Sequence, residues 1–331
     1  MTVTKTCAPE KISAAYSSIA EMVLSKNTLS AVHEQVVGRQ REIELTLAAL
    51  AAQRHIVLEG PPGTGKSTLL RAIAQAMNVG FVFVEGNAEL TPARLAGTFD
   101  PARVLNDGYK PDAFLDGPLV EAMRAGSLLY IEEINRIPEE TLNVLITVMS
   151  EGELNVPRLG RVAAVNGFRL VAAMNPFDAV GTARISGAVY DRVCRVSMSY
   201  QSAEDEEAIV RRNTEGSGLT DAWLSKAVKV VRLTRSHTDL RVGSSVRGAV
   251  DFAKVAVSLA ALRESEVTQP SVGLDAALVA LSGRVRVREG GVRTSEEIVT
   301  EIWQDVFGRV DGEGDAGEGK AGAPTGATTS R

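Results

Sequence analysis

Short apolar runs alternate with longer amphipathic segments through the first two thirds of the chain. Runs rich in Val, Ile, Leu, Phe and Ala predict β-strands at residues 56–58, 81–84, 128–131, 170–173 and 193–198. Because strands separated by helices are joined by right-handed crossovers, this pattern predicts a parallel sheet covered by helices on both faces. We therefore expect an α/β domain over residues 36–200.

The rest of the chain lacks a strand pattern. Helical spacing of apolar positions predicts a helix at residues 11–24, within a helical segment of residues 1–35, and a smaller helical domain over residues 201–308. Residues 309–331 are rich in Gly, Ala, Asp, Glu, Thr and Ser. Because they have too little apolar surface to offset the entropy of ordering, they predict a disordered acidic tail.

Charge and hydropathy narrow the classes of function. The 331 residues include 36 Lys and Arg against 41 Asp and Glu, a formal net charge of −5. Binding to nucleic-acid phosphates needs clustered basic residues, so nucleic acid is not an expected partner. The most apolar stretches are far shorter than the roughly 20 residues that span a bilayer. Without a signal-like N-terminus, the chain is predicted to be cytoplasmic, with no membrane span.

The strongest chemical signal is the segment GPPGTGKS at residues 60–67, which lies between a predicted strand and a predicted helix. It matches the phosphate-binding pattern G-x-x-x-x-G-K-[ST], in which backbone N–H groups and a helix N-terminus surround phosphate oxygens. We expect Lys66 to neutralise the β- and γ-phosphates of ATP and the Ser67 hydroxyl to bind Mg²⁺. The predicted nucleotide-binding residues here are Gly60, Pro61, Pro62, Gly63, Thr64, Gly65, Lys66, Ser67 and Thr68.

Polar side chains follow two further predicted strands. Glu132 and Glu133 end the segment LLYIEE, and Asn175 follows the strand at residues 170–173. Beside a phosphate loop, Glu133 is expected to orient the attacking water, and Glu132 to hold the Mg²⁺ shell. An amide at Asn175 can bond both the γ-phosphate and that water. Taken singly, an acidic strand end or an Asn-Pro turn is common and uninformative.

Several segments together carry a resemblance to a known family. They are VVGRQREIE, LEGPPGTGKS, EEINR, AAMNP, GTARISGAVYDRV and RVGSSVRGA, spread over about residues 36–262. The sequence resembles the AAA+ ATPases of the MoxR branch, relatives of the magnesium-chelatase motor subunit. This resemblance implies a P-loop NTPase parallel sheet core with a smaller C-terminal helical lid domain.

The resemblance also implies roles for residues outside the phosphate loop. Val37 and Gly38 are similar to a turn that lines the adenine pocket. Arg247 matches an arginine, called sensor 2, that contacts nucleotide from the lid. A helix-entry turn and a solvated helix charge are the ordinary alternatives for these positions.

A further arginine is expected to act between subunits. Arg192 is similar to the arginine that reaches the γ-phosphate of a neighbouring subunit, and Arg184 is the other candidate. A surface ion pair of Arg192 with Asp191 is the alternative. The chain departs from the family by having Glu132 in place of Asp and ISGAVYDR in place of LPEAQLDR. The first departure leaves the Mg²⁺ geometry open, and the second leaves the choice of arginine open.

Two insertions lie where this branch elaborates its core. Residues 98–118 are expected to interrupt a helix with Gly and Pro, and residues 153–166 are expected to form a hairpin. Tyr109, Arg158 and Arg161 either face a central pore and touch a client or decorate exposed loops.

These features lead to one main hypothesis and two alternatives. We expect an ATP-hydrolysing homo-oligomeric ring, by resemblance a hexamer, that acts as a MoxR-like chaperone on a protein partner. By the same resemblance the partner contains a von Willebrand factor A domain. The alternatives are a nucleic-acid motor or loader, and a switch that binds ATP with little hydrolysis, which the substitution at Glu132 makes plausible.

Overall fold

The computed structural model describes residue 23, residues 25–176 and residues 185–308 of the chain. The chain divides into two compact units, residues 1–215 with 245–250, and residues 216–244 with 251–331. The predicted helix at residues 11–24, apart from residue 23, and the predicted tail at residues 309–331 lie outside the described residues.

Helices and strands alternate along the first unit. Its helices are α1 (Lys26–Gln35), α2 (Gln40–Ala51), α3 (Lys66–Ala76), α4 (Pro92–Ala96), α5 (Pro101–Asp107), α6 (Pro118–Ala125), α7 (Glu139–Glu151), α8 (Gly187–Tyr190) and α9 (Ala203–Asn213). Its strands are β1 (His55–Glu59), β2 (Phe81–Glu85), β3 (Gly97–Phe99), β4 (Phe114–Asp116), β5 (Leu128–Glu132), β6 (Glu153–Val156), β7 (Gly160–Ala163), β8 (Arg169–Met174) and β9 (Val193–Ser197).

Five of these strands form one parallel sheet in the order β2-β5-β8-β1-β9. These are the five strands predicted from the apolar runs, so the predicted α/β parallel sheet is confirmed. β1 lies between β8 and β9, and Glu59 at its end is in register with Met174 and Ser197. The segments that follow β1, β5 and β8 therefore begin at one edge of the sheet.

Alternate residues of the central strands enter two different apolar layers. In β1, Ile56 and Leu58 pack on the side of α1, α2 and α3, whereas Val57 packs on the side of α6 and α7. Because side chains alternate along a strand, both faces of the sheet are covered. Burying each such large side chain stabilises the fold by about 1.5–3 kcal/mol. This packing holds the sheet in place, and with it the edge where the polar residues lie.

Two small antiparallel pairs leave the main sheet. β6 pairs with β7, as predicted for residues 153–166. The segment at residues 98–118 differs from the expected interrupted helix, because β3 pairs with β4 and the short helix α5 lies between them. Asp100 caps α5 by accepting from the N–H groups of Ala102 and Arg103, and Pro101 fits its first turn. Local capping therefore starts a separate helix here.

The second unit is mainly helical. Its elements are α10 (Asp221–Ser236), β10 (Leu240–Val242), α11 (Val246–Leu262), α12 (Pro270–Leu281), β11 (Arg286–Val287) and α13 (Ser295–Phe307), with the first turn of α11 assigned to the first unit. An aromatic cluster of Trp223, Phe252, Trp303 and Phe307 forms much of its core. The pair β10–β11 was not predicted, since strands of three and two residues show no alternation.

Within the described ranges, no helix combines the length and the apolar character that crossing a lipid bilayer requires.

A buried histidine gives the fold a testable pH dependence. His55 begins β1, and its Nδ1 accepts a hydrogen bond of 2.9 Å from the backbone N–H of Leu170. Burial, together with the charges of Arg169 and Arg54, lowers the pKa of His55 to about 4. In the unfolded chain the imidazole takes up a proton below about pH 6.5. Stability from this group is therefore present above pH 6.5 and is lost as the pH falls towards 4.

We predict that His55→Asn, which keeps an acceptor near Leu170 but does not titrate, flattens the acid side of the stability profile. Between pH 7 and pH 5, urea unfolding of the wild type should lose about 2 kcal/mol more than the variant. Parallel losses in the two proteins would contradict a neutral buried imidazole.

Candidate functional site

The glycine loop, defined as residues 60–65, connects β1 to α3 at the polar edge of the sheet. Gly63 and Gly65 have φ angles of 73° and 83°, which residues with a Cβ rarely adopt. A Cβ on Gly63 would lie 2.2 Å from the hydroxyl oxygen of Ser245, whereas a Cβ on Gly65 would project into open space. At Gly63 the backbone of the loop therefore lies close to Ser245. At Gly65 the loop leaves an open cradle that a side chain would fill.

Lys66 is buried at the first position of α3, with 8% of its surface exposed. Its Nζ donates hydrogen bonds to the backbone oxygens of Gly60 at 3.0 Å and Pro61 at 2.9 Å. Burial lowers the pKa of Lys66 to about 8, while the carboxylate of Glu132 acts to raise it and Arg247 acts to lower it. A buried ammonium bonded to two neutral carbonyls favours an anion in the cradle, so these residues fit a polyphosphate.

Ser67 and Glu132 bring oxygen ligands to the same place. The Ser67 Oγ donates to Glu132 Oε1 at 3.1 Å and lies 3.1 Å from the Tyr130 hydroxyl. Burial raises the pKa of Tyr130, which keeps the hydroxyl protonated. Mg²⁺ prefers a few hard oxygen ligands and keeps others from phosphate and water, so a hydroxyl beside a carboxylate fits this ion. The sequence did not point to Tyr130, because it looks like an ordinary residue of a buried strand.

Glu133 follows β5 in a left-handed conformation with φ 53°. Its Oε2 lies 3.0 Å from Nε of Arg136, and both side chains are about 40% exposed. Non-glycine residues in this region of φ and ψ are uncommon and concentrate at functional sites. The carboxylate predicted to orient water is therefore at the sheet edge and is paired with Arg136.

Asn175 lies at the same edge, immediately after β8. Its backbone oxygen accepts a long hydrogen bond of 3.5 Å from the Nδ2 of buried Asn135. The N–H of Gly60 donates to the backbone oxygen of Met174 at 3.2 Å. The backbone next to Asn175 therefore contacts both the glycine loop and the turn that follows Glu133.

Arg39 is a site residue that sequence analysis missed. It is buried and has a left-handed φ of 62°, and its guanidinium donates to the backbone oxygens of Thr64 at 2.9 Å and Ser199 at 2.6 Å. It also pairs with Glu42 at 2.9 Å. Thr64 is itself fixed by a hydrogen bond of 2.9 Å to the backbone oxygen of Pro61. Arg39 therefore ties the glycine loop to the segment after β9.

The turn at Val37 and Gly38 closes against residues 201–205. Gln201 donates from Nε2 to the backbone oxygen of Val37 at 2.7 Å. A Cβ on Gly38 would lie 2.6 Å from a carboxylate oxygen of Asp205, which explains glycine there. Its role in an adenine pocket stays a prediction.

Arg247 lies in the first turn of α11, within the first unit, and is exposed. Its Cδ lies 3.9 Å from the position that a Cβ on Gly63 would take. Its charge acts to lower the pKa of Lys66. Thr68 is exposed in the first turn of α3, and Pro62 is exposed on the loop. The structure thus brings the predicted sensor-2 residue beside the glycine loop.

Of the two arginines predicted to act between subunits, one lies within the residues that the structure describes. Arg184 lies outside the described residues. Arg192 donates to Ser150 Oγ at 2.5 Å and to the backbone oxygen of Ala188 at 2.8 Å, and it lies 3.9 Å from Asp191. All of these contacts are to residues outside the glycine loop of its own chain, and the pair with Asp191 is too long and exposed to stabilise much.

The two insertions contact each other. The guanidinium of Arg158 lies over the ring of Tyr109, 3.7 Å from its centroid, and Arg161 pairs with Glu153. This cation–π contact joins the β6–β7 turn to the segment between β3 and β4. Contact of these residues with a client stays a prediction.

Comparison with known proteins finds similarity over part of the chain. The AAA domain family, dynein-related subfamily, matches residues 55–193. The uncharacterized protein YeaC of Bacillus subtilis is 25% identical over 265 aligned positions, covering 72% of this chain and 79% of YeaC. The gas vesicle ATPase GvpN1 of Halobacterium salinarum is 26% identical over 249 positions, covering 70% of this chain and 71% of that protein.

A variant of RuvB from Thermotoga maritima is similar in structure, with a TM-score of 0.50 and 17% identity, covering 74% of this chain and 71% of RuvB. That likeness concerns the fold alone. The five-stranded parallel sheet and its glycine loop match the P-loop AAA+ fold, and residues 55–193 are similar to the AAA domain family.

Proposed function

We propose that this chain hydrolyses ATP with Mg²⁺ at the glycine loop and completes each site with Arg192 from a neighbouring copy in a ring. One observation carries the proposal: Lys66, Ser67, Glu132 and Glu133 lie together at one sheet edge, where Ser67 donates to Glu132 and the charges of both carboxylates act to raise the pKa of the buried ammonium. This is the set of groups that phosphoryl transfer to water needs.

ATP binding changes the partners of side chains that already lie at the glycine loop. Lys66 exchanges the backbone oxygens of Gly60 and Pro61 for phosphate oxygens, which restores a negative partner for its buried charge. Ser67 and Glu132, which now share a hydrogen bond, would hold the Mg²⁺ beside the phosphates. The bound Mg²⁺ supplies charge neutralisation between the phosphates.

Glu133 and Asn175 act on the attacking water. Release of Glu133 from Arg136 frees its carboxylate to accept a hydrogen bond from water and to aim that water. The Asn175 amide holds the other side of the same water. Arg192 lies between α8 and β9, and its hydrogen bonds to Ser150 and Ala188 and its ion pair with Asp191 are all outside the glycine loop of its own chain.

The work done by the ring is proposed to be remodelling of a protein partner, with a von Willebrand factor A domain protein as the expected class. The likeness to MoxR-type sequences and to relatives that are gas vesicle ATPases supports a protein-assembly role. The net charge of −5 disfavours a nucleic-acid motor. Glu132 in place of Asp keeps the ATP-binding switch as a second candidate, because its extra methylene alters the distance to the metal.

Lys66→Ala tests nucleotide binding. We predict that it weakens binding of a fluorescent ATP analogue by roughly tenfold or more, since charge-assisted hydrogen bonds contribute about 1.5–3 kcal/mol. Lys110→Ala, which removes an exposed lysine from the segment between β3 and β4, is the matched control and should bind normally. Equal affinity in the two variants would count against the loop as the binding site.

Two carboxylate variants separate an ATPase from a switch. Glu133→Gln should bind ATP normally but lose turnover by roughly 100-fold or more, the usual effect of removing a general base. Glu140→Gln, an exposed position on α7, is the control. A wild type that binds ATP without turnover, and that gains turnover as Glu132→Asp, would favour the switch instead.

Mixed rings test the role of Arg192. Arg192→Ala should bind ATP but lose turnover, because the neighbouring site lacks its guanidinium. Adding Glu133→Gln subunits, which cannot hydrolyse ATP but carry an intact Arg192, should restore part of the activity. No recovery over a range of mixing ratios would contradict action between subunits.

A further inference from the structure

A buried carboxylate with two exposed partners lies at the sheet edge and has no part in the mechanism above. Glu59 is the last residue of β1, directly before the glycine loop, and only 4% of its surface is exposed. Its Oε1 accepts a hydrogen bond from the Tyr190 hydroxyl, and its Oε2 accepts one from Nε of Arg195. We call these three residues the Glu59 cluster.

Stability alone is a weak reason for this arrangement. Removing the Glu59 carboxylate from water costs several kcal/mol, and the side chain of its ion-pair partner Arg195 is 55% exposed, so the pair returns little of that cost. Glu59 lies on the same face of β1 as Val57, so an apolar side chain there would extend the layer shared with α6 and α7. Position 59 therefore has a hydrogen-bonded carboxylate where packing alone would favour an apolar residue.

Tyr190 joins this cluster to Arg192 through one short turn. Tyr190 ends α8, where the N–H of Arg192 donates to the backbone oxygen of Val189 at 3.0 Å. The Arg192 guanidinium also donates to the backbone oxygen of Ala188 at 2.8 Å. Tyr190 therefore lies in the same short turn whose backbone oxygens hold Arg192.

The Tyr190 hydroxyl also meets the strand that leads to Asn175. It lies 3.6 Å from the sulfur of Met174, the residue before Asn175. Burial and the hydrogen bond to Glu59 raise the pKa of Tyr190 to about 12, so the hydroxyl remains a donor at any physiological pH. One phenol thus touches the ends of β1 and β8.

On its other side, Glu59 adjoins a backbone oxygen that contacts Lys66. Glu59 is bonded in sequence to Gly60, whose backbone oxygen accepts from Nζ of Lys66. If Lys66 turns to a phosphate, this backbone oxygen loses the hydrogen bond from Nζ. The backbone of Glu59 is in turn fixed to β9, since its oxygen accepts from the N–H of Met198 at 2.6 Å.

We propose that Glu59 is a positioning residue that sets the placement of Arg192 according to the state of the glycine loop in the same chain. The carboxylate passes a change at Gly60 to Tyr190, and Tyr190 passes it to the turn that carries Arg192. The position of Arg192 at the neighbouring site would thereby depend on the nucleotide bound in its own subunit. This inference rests on the proposed action of Arg192 between subunits.

Mixed rings test this inference with Glu59→Gln, which keeps the size of the side chain and removes its charge. The variant should bind the fluorescent ATP analogue as the wild type does and should lose about tenfold in turnover. Mixed with Glu133→Gln subunits, it should regain activity, because intact Arg192 residues then serve its own sites. Mixed with Arg192→Ala subunits it should not, because neither subunit presents a well-placed arginine.

A purely local role for Glu59 gives the reverse pattern. If Glu59 only supports its own glycine loop, mixing with Glu133→Gln gives no recovery, and mixing with Arg192→Ala restores activity at the Arg192→Ala sites. That pattern, or normal turnover of Glu59→Gln alone, would overturn the proposal. Tyr190→Phe removes the hydroxyl with little change in packing and should repeat every result, which keeps the test valid if Glu59→Gln folds poorly.

The control mixture of Arg192→Ala with Glu133→Gln is read separately. Recovery there together with the local pattern for Glu59→Gln would refute the role of Glu59 alone. No recovery there would refute the action of Arg192 between subunits.

Discussion

A buried ammonium at the start of a helix is the constraint on which the site depends. Lys66 has exchanged water for two backbone oxygens of its own loop, and burial lowers its pKa to about 8. Such a charge is costly unless an anion comes to it. Gly63 and Gly65 keep the space for that anion open. Arg39 fixes the loop by donating a hydrogen bond to the backbone oxygen of Thr64. The loop is thus organised around a ligand rather than around its own packing.

The parallel sheet gives this lysine its neighbours. Because β1, β5 and β8 run in one direction, the residues at their ends meet at one edge, and this brings Asn175 to the edge that holds Glu132 and Glu133 although it is distant from them in sequence. The same edge holds Glu59, which faces away from α3 towards Tyr190. The end of β1 therefore has two sets of contacts: the glycine loop leads to Lys66 of α3, and the Glu59 side chain contacts Tyr190 of α8.

Patterns along the chain were sufficient for the sheet, the hairpin at residues 153–166 and the glycine loop, because each has a local signature of alternation or glycine spacing. They were not sufficient for Arg39, Tyr130 or Glu59. Each of these acts through partners far away in sequence, such as Ser199 for Arg39 and Tyr190 for Glu59, and no local spacing records such a contact. The segment at residues 98–118 was misjudged because capping by Asp100 starts a new short helix where a broken one was expected.

The most direct test is an experimental structure of the assembled protein with Mg²⁺ and a non-hydrolysable ATP analogue. The account predicts that Nζ of Lys66 leaves the oxygens of Gly60 and Pro61 for the β- and γ-phosphates, and that Ser67 Oγ leaves Glu132 for the metal. It also predicts a guanidinium from a neighbouring copy at the γ-phosphate. An analogue bound elsewhere, or a Lys66 that still bonds its own loop beside the bound nucleotide, would contradict it.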